Sequence, residues 1–353
     1  MRGLIERKQL ENALVRRLYR DILLAYDEVV RDLISRGITP LTRPQEWKRA
    51  TKAWDNILDE GARRQAEVAQ LELARIGVYE SERAARAIGV GLGANRVSPE
   101  LMASILNSDP IEGLLLKEWF ASESAASKMA VRRSIQAGLS QNETVDQITR
   151  RLRGRHTGKY TTKRLKDGTV RRLGIFRGGV MERTTTRHAR AIVRTAITEV
   201  TNRAHNEVYS RHPDVTTEWE WVAVLDGRTS DICMGLSGQK FEYGTHALPP
   251  AHINCRSQQV AVVPGATDAI SASGGVKNPD WKKGDPLKDK WLQKPGPTTA
   301  GNYEDWLRGI DPKAQNEILG PGKAKLFRDG KLNLKQLVDR EGRSRTVAQL
   351  GGK

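Results

Sequence analysis

Leu14, Leu18, Ile22, Tyr26, Val29 and Leu33 recur at steps of three and four, which places them on one face of a long helix. Gly37 stands just past its end, Pro40 and Pro44 mark a turn, and Thr42 reads as the N-cap of a second helix. That helix carries Trp47, Trp54, Leu58, Val68 and Leu71 among its apolar positions. The short connection predicts an antiparallel pair. Gly89, Gly91 and Gly93 have no strand before them, so they predict a turn between helices and not a phosphate-binding loop. A third helical block runs over about 110–137 with Trp119, Phe120 and Met129, and stops at Gly138. Ser140 is expected to cap the next helix, with Glu143 completing a capping box and Val145, Ile148 and Leu152 inside.

The period then changes. Asp167-Gly168 between 161–165 and 170–173 predicts a β-hairpin with arginine and lysine on both arms, an insertion at about 155–180. Helical character returns over 184–210, with Ala191, Val193, Ala196, Ile197, Val200, Ala204 and Val208. Trp219, Trp221, Ala223 and Leu225 alternate with Glu220, Val222 and Val224, the pattern of a half-buried strand, and Asp226-Gly227 turns the chain. A second strand is expected over 258–263, closed by Pro264. The stretch 265–300 is rich in Gly, Ser, Pro, Asp and Lys with little periodicity, and predicts a linker or loop. Beyond it, Tyr303, Trp306, Leu307, Leu319, Phe327 and Leu337, punctuated by glycines, predict short helices. The fold class is therefore α+β and mainly α-helical. Its parts are an N-terminal helical bundle over 1–109, a small β-containing core with a basic hairpin over 110–264, the linker, and a small C-terminal helical unit over 301–353.

Composition sharpens this outline. With 353 residues, 38% hydrophobic and 5% aromatic, the chain has room for two or three domains with modest, mainly aliphatic cores. No stretch approaches the roughly 18 consecutive apolar residues of a membrane span. The charged N-terminus leads straight into a helical pattern, so no secretory signal is read there and a soluble product of the cytoplasm is expected. The net charge is +17, and it is concentrated. Thirteen Lys or Arg between 151 and 190 face only Asp167 and Glu182, so +11 of the total falls in that segment. Such a field favours polyanionic partners, while a solvated face without a partner stays open. Lys163, Arg164, Lys166, Arg171 and Arg172 on the hairpin arms are the candidate contacts to a partner or nucleic acid. A basic β-ribbon can enter a nucleic-acid groove, and an arm gripping a neighbouring subunit fits equally well.

Cys233, His246, His252 and Cys255 form a C-x12-H-x5-H-x2-C series. Two readings of it stay open. Sulfur and nitrogen donors at this spacing suit a tetrahedral zinc ion, with Cys233, His252, Cys255 and His246 as its ligands. The other reading is a pair of small buried cysteines with a hydrogen-bonded core histidine. A structural disulfide is disfavoured in a cytoplasmic product.

Three runs go further: Leu225-Asp226-Gly227-Arg228-Thr229-Ser230-Asp231-Ile232-Cys233, then Leu236-Ser237-Gly238-Gln239-Lys240-Phe241, then Pro249-Pro250-Ala251-His252-Ile253-Asn254-Cys255-Arg256-Ser257. Together they resemble the signature of the phage Mu F-like minor head proteins, the phage head morphogenesis family. The helix from Arg194-Thr195 to Asn206 is also similar to one in that family, and the resemblance spans roughly 110–263. Ser230 and Ser257 depart from the family pattern, in which cysteines often stand at both places.

The resemblance implies a minor head protein of a tailed bacteriophage, present in a few copies in the virion and associated with the portal vertex. Its implied role lies in head assembly, DNA packaging or ejection. The portal protein is the implied partner, with scaffold or major capsid protein and packaged DNA as further ones. Asp226, Arg228, Asn254 and Arg256 suit a hydrogen-bonded staple between two loops, within a motif that includes Thr229, Gly238, Pro249 and Pro250. Binding without catalysis is expected. The rivals are a metal-dependent nuclease using Asp226, Asp231 or His246, and a phage-delivered effector in the terminal unit. A DNA-binding regulator is disfavoured, since neither helix-turn-helix nor zinc-finger spacing is present.

Overall fold

A computed structural model describes residues 2–39, 41–91, 96–108, 110, 113–165, 167–264, 302–339 and 344–351, with side chains from residue 9 onward. The expected linker (265–300) and Lys166 lie outside the described residues. The chain is an α+β protein, mainly helical, with two small antiparallel sheets. It divides into two compact units, one formed by 10–74 and 103–196, the other by 1–9, 75–102 and 197–353.

In the first unit, the helix Arg2–Arg36 buries Leu14, Leu18, Ile22, Tyr26, Val29 and Leu33 along one stripe. The helix Pro44–Ala87 buries Trp54, Leu58, Ala62, Gln65, Ala69 and Leu73 at steps of three and four. Leu71 falls off that stripe and is 66% exposed, so it is not the core residue its hydrophobicity suggested. The Trp54 indole donates to Asp32 Oδ2 at 2.8 Å and meets the edge of Trp47. The helix starts at Pro44, where proline lacks only an N–H that would have no helical partner. Thr42 does not cap it, because its hydroxyl accepts from the Thr39 N–H instead.

The helix Leu116–Ser140 runs two residues past the expected stop at Gly138. That glycine is needed for close packing, since a Cβ there would lie 2.5 Å from Ile148 Cγ1. The following helix, Val145–Arg153, is capped by Thr144 with Gln147, not by Ser140 with Glu143. Glu143 instead pairs with Arg151. The helix then runs directly into a hairpin, β1 (Gly154–Arg164) and β2 (Val170–Gly178), whose arms are longer than the Asp-Gly turn alone implied. Its base closes tightly: a Cβ on Gly154 would stand 2.1 Å from the Arg177 carbonyl oxygen.

A polar chain crosses this unit's interior. Tyr26 Oη and Ser127 Oγ lie 3.1 Å and 2.9 Å from Thr185 Oγ1, and Ser127 donates to Glu123 Oε1 at 3.0 Å. Thr185 sits in a π-helical turn, Glu182–Thr186, just before the helix Arg187–Tyr209.

In the second unit, β3 (Glu218–Val222) is the centre of a three-stranded sheet in the order β4 (Lys240–Glu242), β3, β5 (Gln258–Val262). Trp219 and Trp221 point into the core, and Trp219 stands opposite both Phe241 and Ala261. The sequence does not announce β4, because three residues are too few to show a period. Two backbone bonds, Trp221 N–H to Gln239 O and Gly238 N–H to Trp221 O, dock it. The terminal helices Tyr303–Arg308, Pro312–Leu319 and Pro321–Arg328 share one apolar cluster with Leu225 and Met234. Among the described residues, no helix is long and apolar enough to cross a membrane.

Burial pushes the Glu123 carboxyl up to about 7. The folded state therefore binds a proton that the unfolded chain, with an ordinary carboxyl, has lost between about pH 4.5 and pH 7. The contribution of this group is fully present below its unfolded value and is lost as pH rises through the folded one. Glu123→Gln is expected to raise stability at pH 8 by up to about 3 kcal/mol and to change it little at pH 4. Denaturant unfolding of both proteins at the two pH values checks this, and an equal effect at both contradicts it.

Candidate functional site

β3 leaves the sheet through buried Ala223, Val224 and Leu225 and delivers Asp226, whose side chain is 1% exposed. The Arg228 N–H donates to Asp226 Oδ1 at 2.9 Å, an Asx-type turn that fixes the loop. Arg256 enters from the loop before β5 and grips the same carboxylate with two parallel bonds. Its two terminal nitrogens donate to Oδ2 at 2.6 Å and to Oδ1 at 2.7 Å. This fork is the strong form of an arginine–carboxylate pair. The Thr229 hydroxyl donates to the Val224 carbonyl. The Asp226 carbonyl accepts from the Tyr303 phenol at 2.8 Å. One residue thus ties its own turn, the β5 loop and the first terminal helix together. Burial and the Asp226 charge both push the Tyr303 phenol up, which keeps it a proton donor.

Beside this staple lies the sulfur cluster. Ser230 caps the helix Asp231–Leu236 by accepting from the Cys233 N–H, so Cys233 is held in its first turn. On the facing loop, the cis pair Pro249-Pro250 precedes His252. Asn254 then takes a left-handed conformation with φ 64°, and the Cys255 N–H donates to the His252 carbonyl, folding Cys255 back. Cys233 Sγ stands 3.6 Å from Cys255 Sγ and 3.3 Å from His252 Nε2. Both thiols are free, well beyond the roughly 2.05 Å of a disulfide. Cys233 shares its proton with Cys255, and that hydrogen bond holds the Cys255 thiol down and the Cys233 thiol up.

The remaining motif residues take distinct places. His246 is not in the cluster: its ring packs on Phe241 at 4.0 Å, and Nδ1 lies 2.8 Å from the Ala247 carbonyl. Gly238 has φ 78°, and a Cβ there would meet Asn302 Cβ at 2.9 Å, just before the terminal helix. Pro249 is buried and Arg228 is exposed. Residues that sequence reasoning passed over hold the β5 loop from beneath. Thr198 donates to the Cys255 carbonyl at 3.0 Å, and Asn202 accepts from the Gln259 N–H at 2.7 Å. Their signal was weak, because the helix Arg187–Tyr209 also buries Thr195, Glu199, Thr201 and His205, so two more polar residues do not stand out.

In the other unit, the hairpin's charges divide into two sets. Lys163 pairs with buried Asp21, Arg171 with Glu28 and Arg153 with Asp27. Arg172 lies over the Tyr160 ring at 3.8 Å. Arg155, Lys159, Arg164, Arg177, Arg183, Arg187 and Arg190 are exposed, and among the described residues none has a carboxylate at ion-pair distance. Arg155 and Arg177 stand directly opposite each other across the ladder.

The molecule is thus a mainly helical α+β protein with a stapled loop pair on a small sheet and a basic hairpin. The family model described as Phage Mu protein F like protein matches residues 127–260, a stretch that contains the hairpin and both staple loops. That segment is similar to the phage Mu F-like proteins. Searches of curated proteins and of solved structures find no significant match.

Arg256→Ala leaves the Asp226 charge buried without its fork and is expected to cost about 3–5 kcal/mol. Adding Asp226→Ala should recover part of that loss, because the two changes share one interaction. Denaturant unfolding of the single and double variants measures the coupling, and strictly additive losses contradict the staple.

Proposed function

We propose that this chain is a minor head protein of a tailed bacteriophage, resident in the virion at the portal vertex, where it acts in head assembly and in DNA packaging or ejection. The observation that carries this reading is the Mu F-like match over 127–260. The portal protein is the partner it implies, with scaffold or major capsid protein as further neighbours during assembly.

The hairpin supports a second contact, to packaged DNA. Like charges directly opposite on a sheet are destabilising, and Arg155 faces Arg177 with no carboxylate at ion-pair distance from either among the described residues, although Glu182 accepts from the neighbouring Gly178 N–H. A row of phosphates relieves that repulsion. By contrast, Lys163 and Arg171 already hold Asp21 and Glu28, so they serve the fold as much as any partner. The contact surface is accordingly Arg155, Lys159, Arg177, Arg183 and Arg187 more than the arm tips. In this reading the protein binds and does not catalyse.

Co-expression with the portal protein of the same phage tests the assignment: the two are expected to co-purify, and their consistent separation contradicts it. DNA binding is expected to weaken steeply with salt. Replacing Arg155, Arg177 and Arg187 by serine should flatten the log–log salt slope by about 0.9 for each phosphate no longer neutralised. An unchanged slope removes the hairpin from the DNA surface. Plasmid incubated with Mg²⁺ or Mn²⁺ should stay intact; cleavage abolished by His252→Ala would make the protein a nuclease.

A further inference from the structure

The cluster of Cys233, His252 and Cys255 has a geometry that the staple does not require. Their donor atoms lie within 4.8 Å of one another, in a site where both cysteines are buried and His252 is half-buried. Zinc bound at about 2.3 Å to sulfur and about 2.0 Å to nitrogen, with tetrahedral angles, places two sulfurs ~3.8 Å apart and sulfur ~3.5 Å from nitrogen. The observed separations are 3.6 Å and 3.3 Å. Two of the three donor separations thus match the edges of a zinc tetrahedron, and the third is within 4.8 Å.

The histidine is oriented for the task. Its Nδ1 lies 2.8 Å from the Ile253 carbonyl, which can only accept, so Nδ1 carries the proton. Nε2 is left with its lone pair, and it faces the Cys233 sulfur at 3.3 Å. A backbone carbonyl fixing the distal nitrogen is the usual outer support of a metal-bound imidazole. The Thr198 hydroxyl grips the Cys255 carbonyl, and the Ser230 cap grips the Cys233 N–H, so both cysteines are fixed at the backbone as well.

We propose that Cys233, His252 and Cys255 bind one Zn²⁺ ion, with an oxygen as fourth donor. Ser230 Oγ lies 2.8 Å from His252 Nε2 and accepts from the Cys233 N–H, so a hydroxyl oxygen stands beside the donors. The Ser230 oxygen is therefore the candidate for the fourth position. His246 takes no part, being stacked on Phe241 with its Nδ1 at a backbone carbonyl. Binding releases the thiol protons to solvent. The ion links the start of the helix Asp231–Leu236 to the loop before β5, the loop that the Asp226–Arg256 fork ties to the turn after β3. This inference is independent of the portal reading.

The test uses the full-length chain, purified under reducing conditions and loaded with Zn²⁺ or Co²⁺ alone. One zinc per chain is expected by elemental analysis. Cobalt should give the intense visible bands of a tetrahedral site and a thiolate charge-transfer band in the near ultraviolet. A chelator should lower the melting temperature of the wild type. His246→Ala should keep all three signals, while Cys255→Ser and His252→Ala lose the metal. Where those two variants fail to fold, the wild-type cobalt spectrum and the chelator shift decide the matter. Substoichiometric zinc, cobalt bands without thiolate character, or equal metal in wild type and Cys255→Ser overturns the proposal. So does a Cys233–Cys255 disulfide forming in place of metal uptake.

Discussion

The loop staple of the second unit depends on one buried ion pair, Asp226–Arg256. Asp226 is almost wholly removed from water, and an isolated carboxylate there would be costly. Arg256 offsets that cost only by presenting both terminal nitrogens at once, with the Arg228 N–H satisfying a remaining lone pair. The constraint propagates. The 249–257 loop turns through the left-handed Asn254 and brings Arg256 to Asp226, and the same loop carries His252 and Cys255 to Cys233. The Asp226 backbone carbonyl, held in place by the same turn, receives Tyr303 and so fixes the terminal helices on Leu225 and Met234.

Charge acts differently in the first unit. There the basic excess does not form one uniform surface. Carboxylates on the helix Arg2–Arg36 take up Arg153, Lys163 and Arg171, which fastens the hairpin to its own unit. The remaining charge stands nearer the base of the hairpin and the turn after it, at Arg155, Arg177, Arg183 and Arg187. Two of these, Arg155 and Arg177, face each other across the ladder, an arrangement that mildly opposes strand pairing.

Much of this was readable from residue spacing. The stripes of Leu18, Tyr26 and Leu33, the alternation of Trp219 and Trp221, and the Asp-Gly hairpin all follow from local periods, because burial repeats every 3.6 or every two residues. Three features escaped for physical reasons. The true cap at Thr144 lies one turn beyond Ser140 because the preceding helix continues through a glycine that packs on Ile148. β4 is too short for any period to show. In the site, Cys233, His252, Cys255, Asp226 and Arg256 stand out in the sequence as residue types, but which of them meet is a property of tertiary contact. His246 sits in the same series as His252 and ends on an aromatic ring, and Tyr303, 77 residues beyond Asp226, carries no local mark of its partner.

The Asp226–Arg256 pair, with the Tyr303 bond to the Asp226 carbonyl, is expected to make the Asp226 turn, the β5 loop and the terminal helices a single cooperative structure. Native-state hydrogen exchange on the intact chain reads this directly. Amides in 231–236, 258–262 and 303–328 are expected to share one opening free energy and to lose protection together as denaturant is added. If the terminal helices instead open at distinctly lower free energy while 258–262 stays protected, the staple does not hold them, and the account fails at its centre.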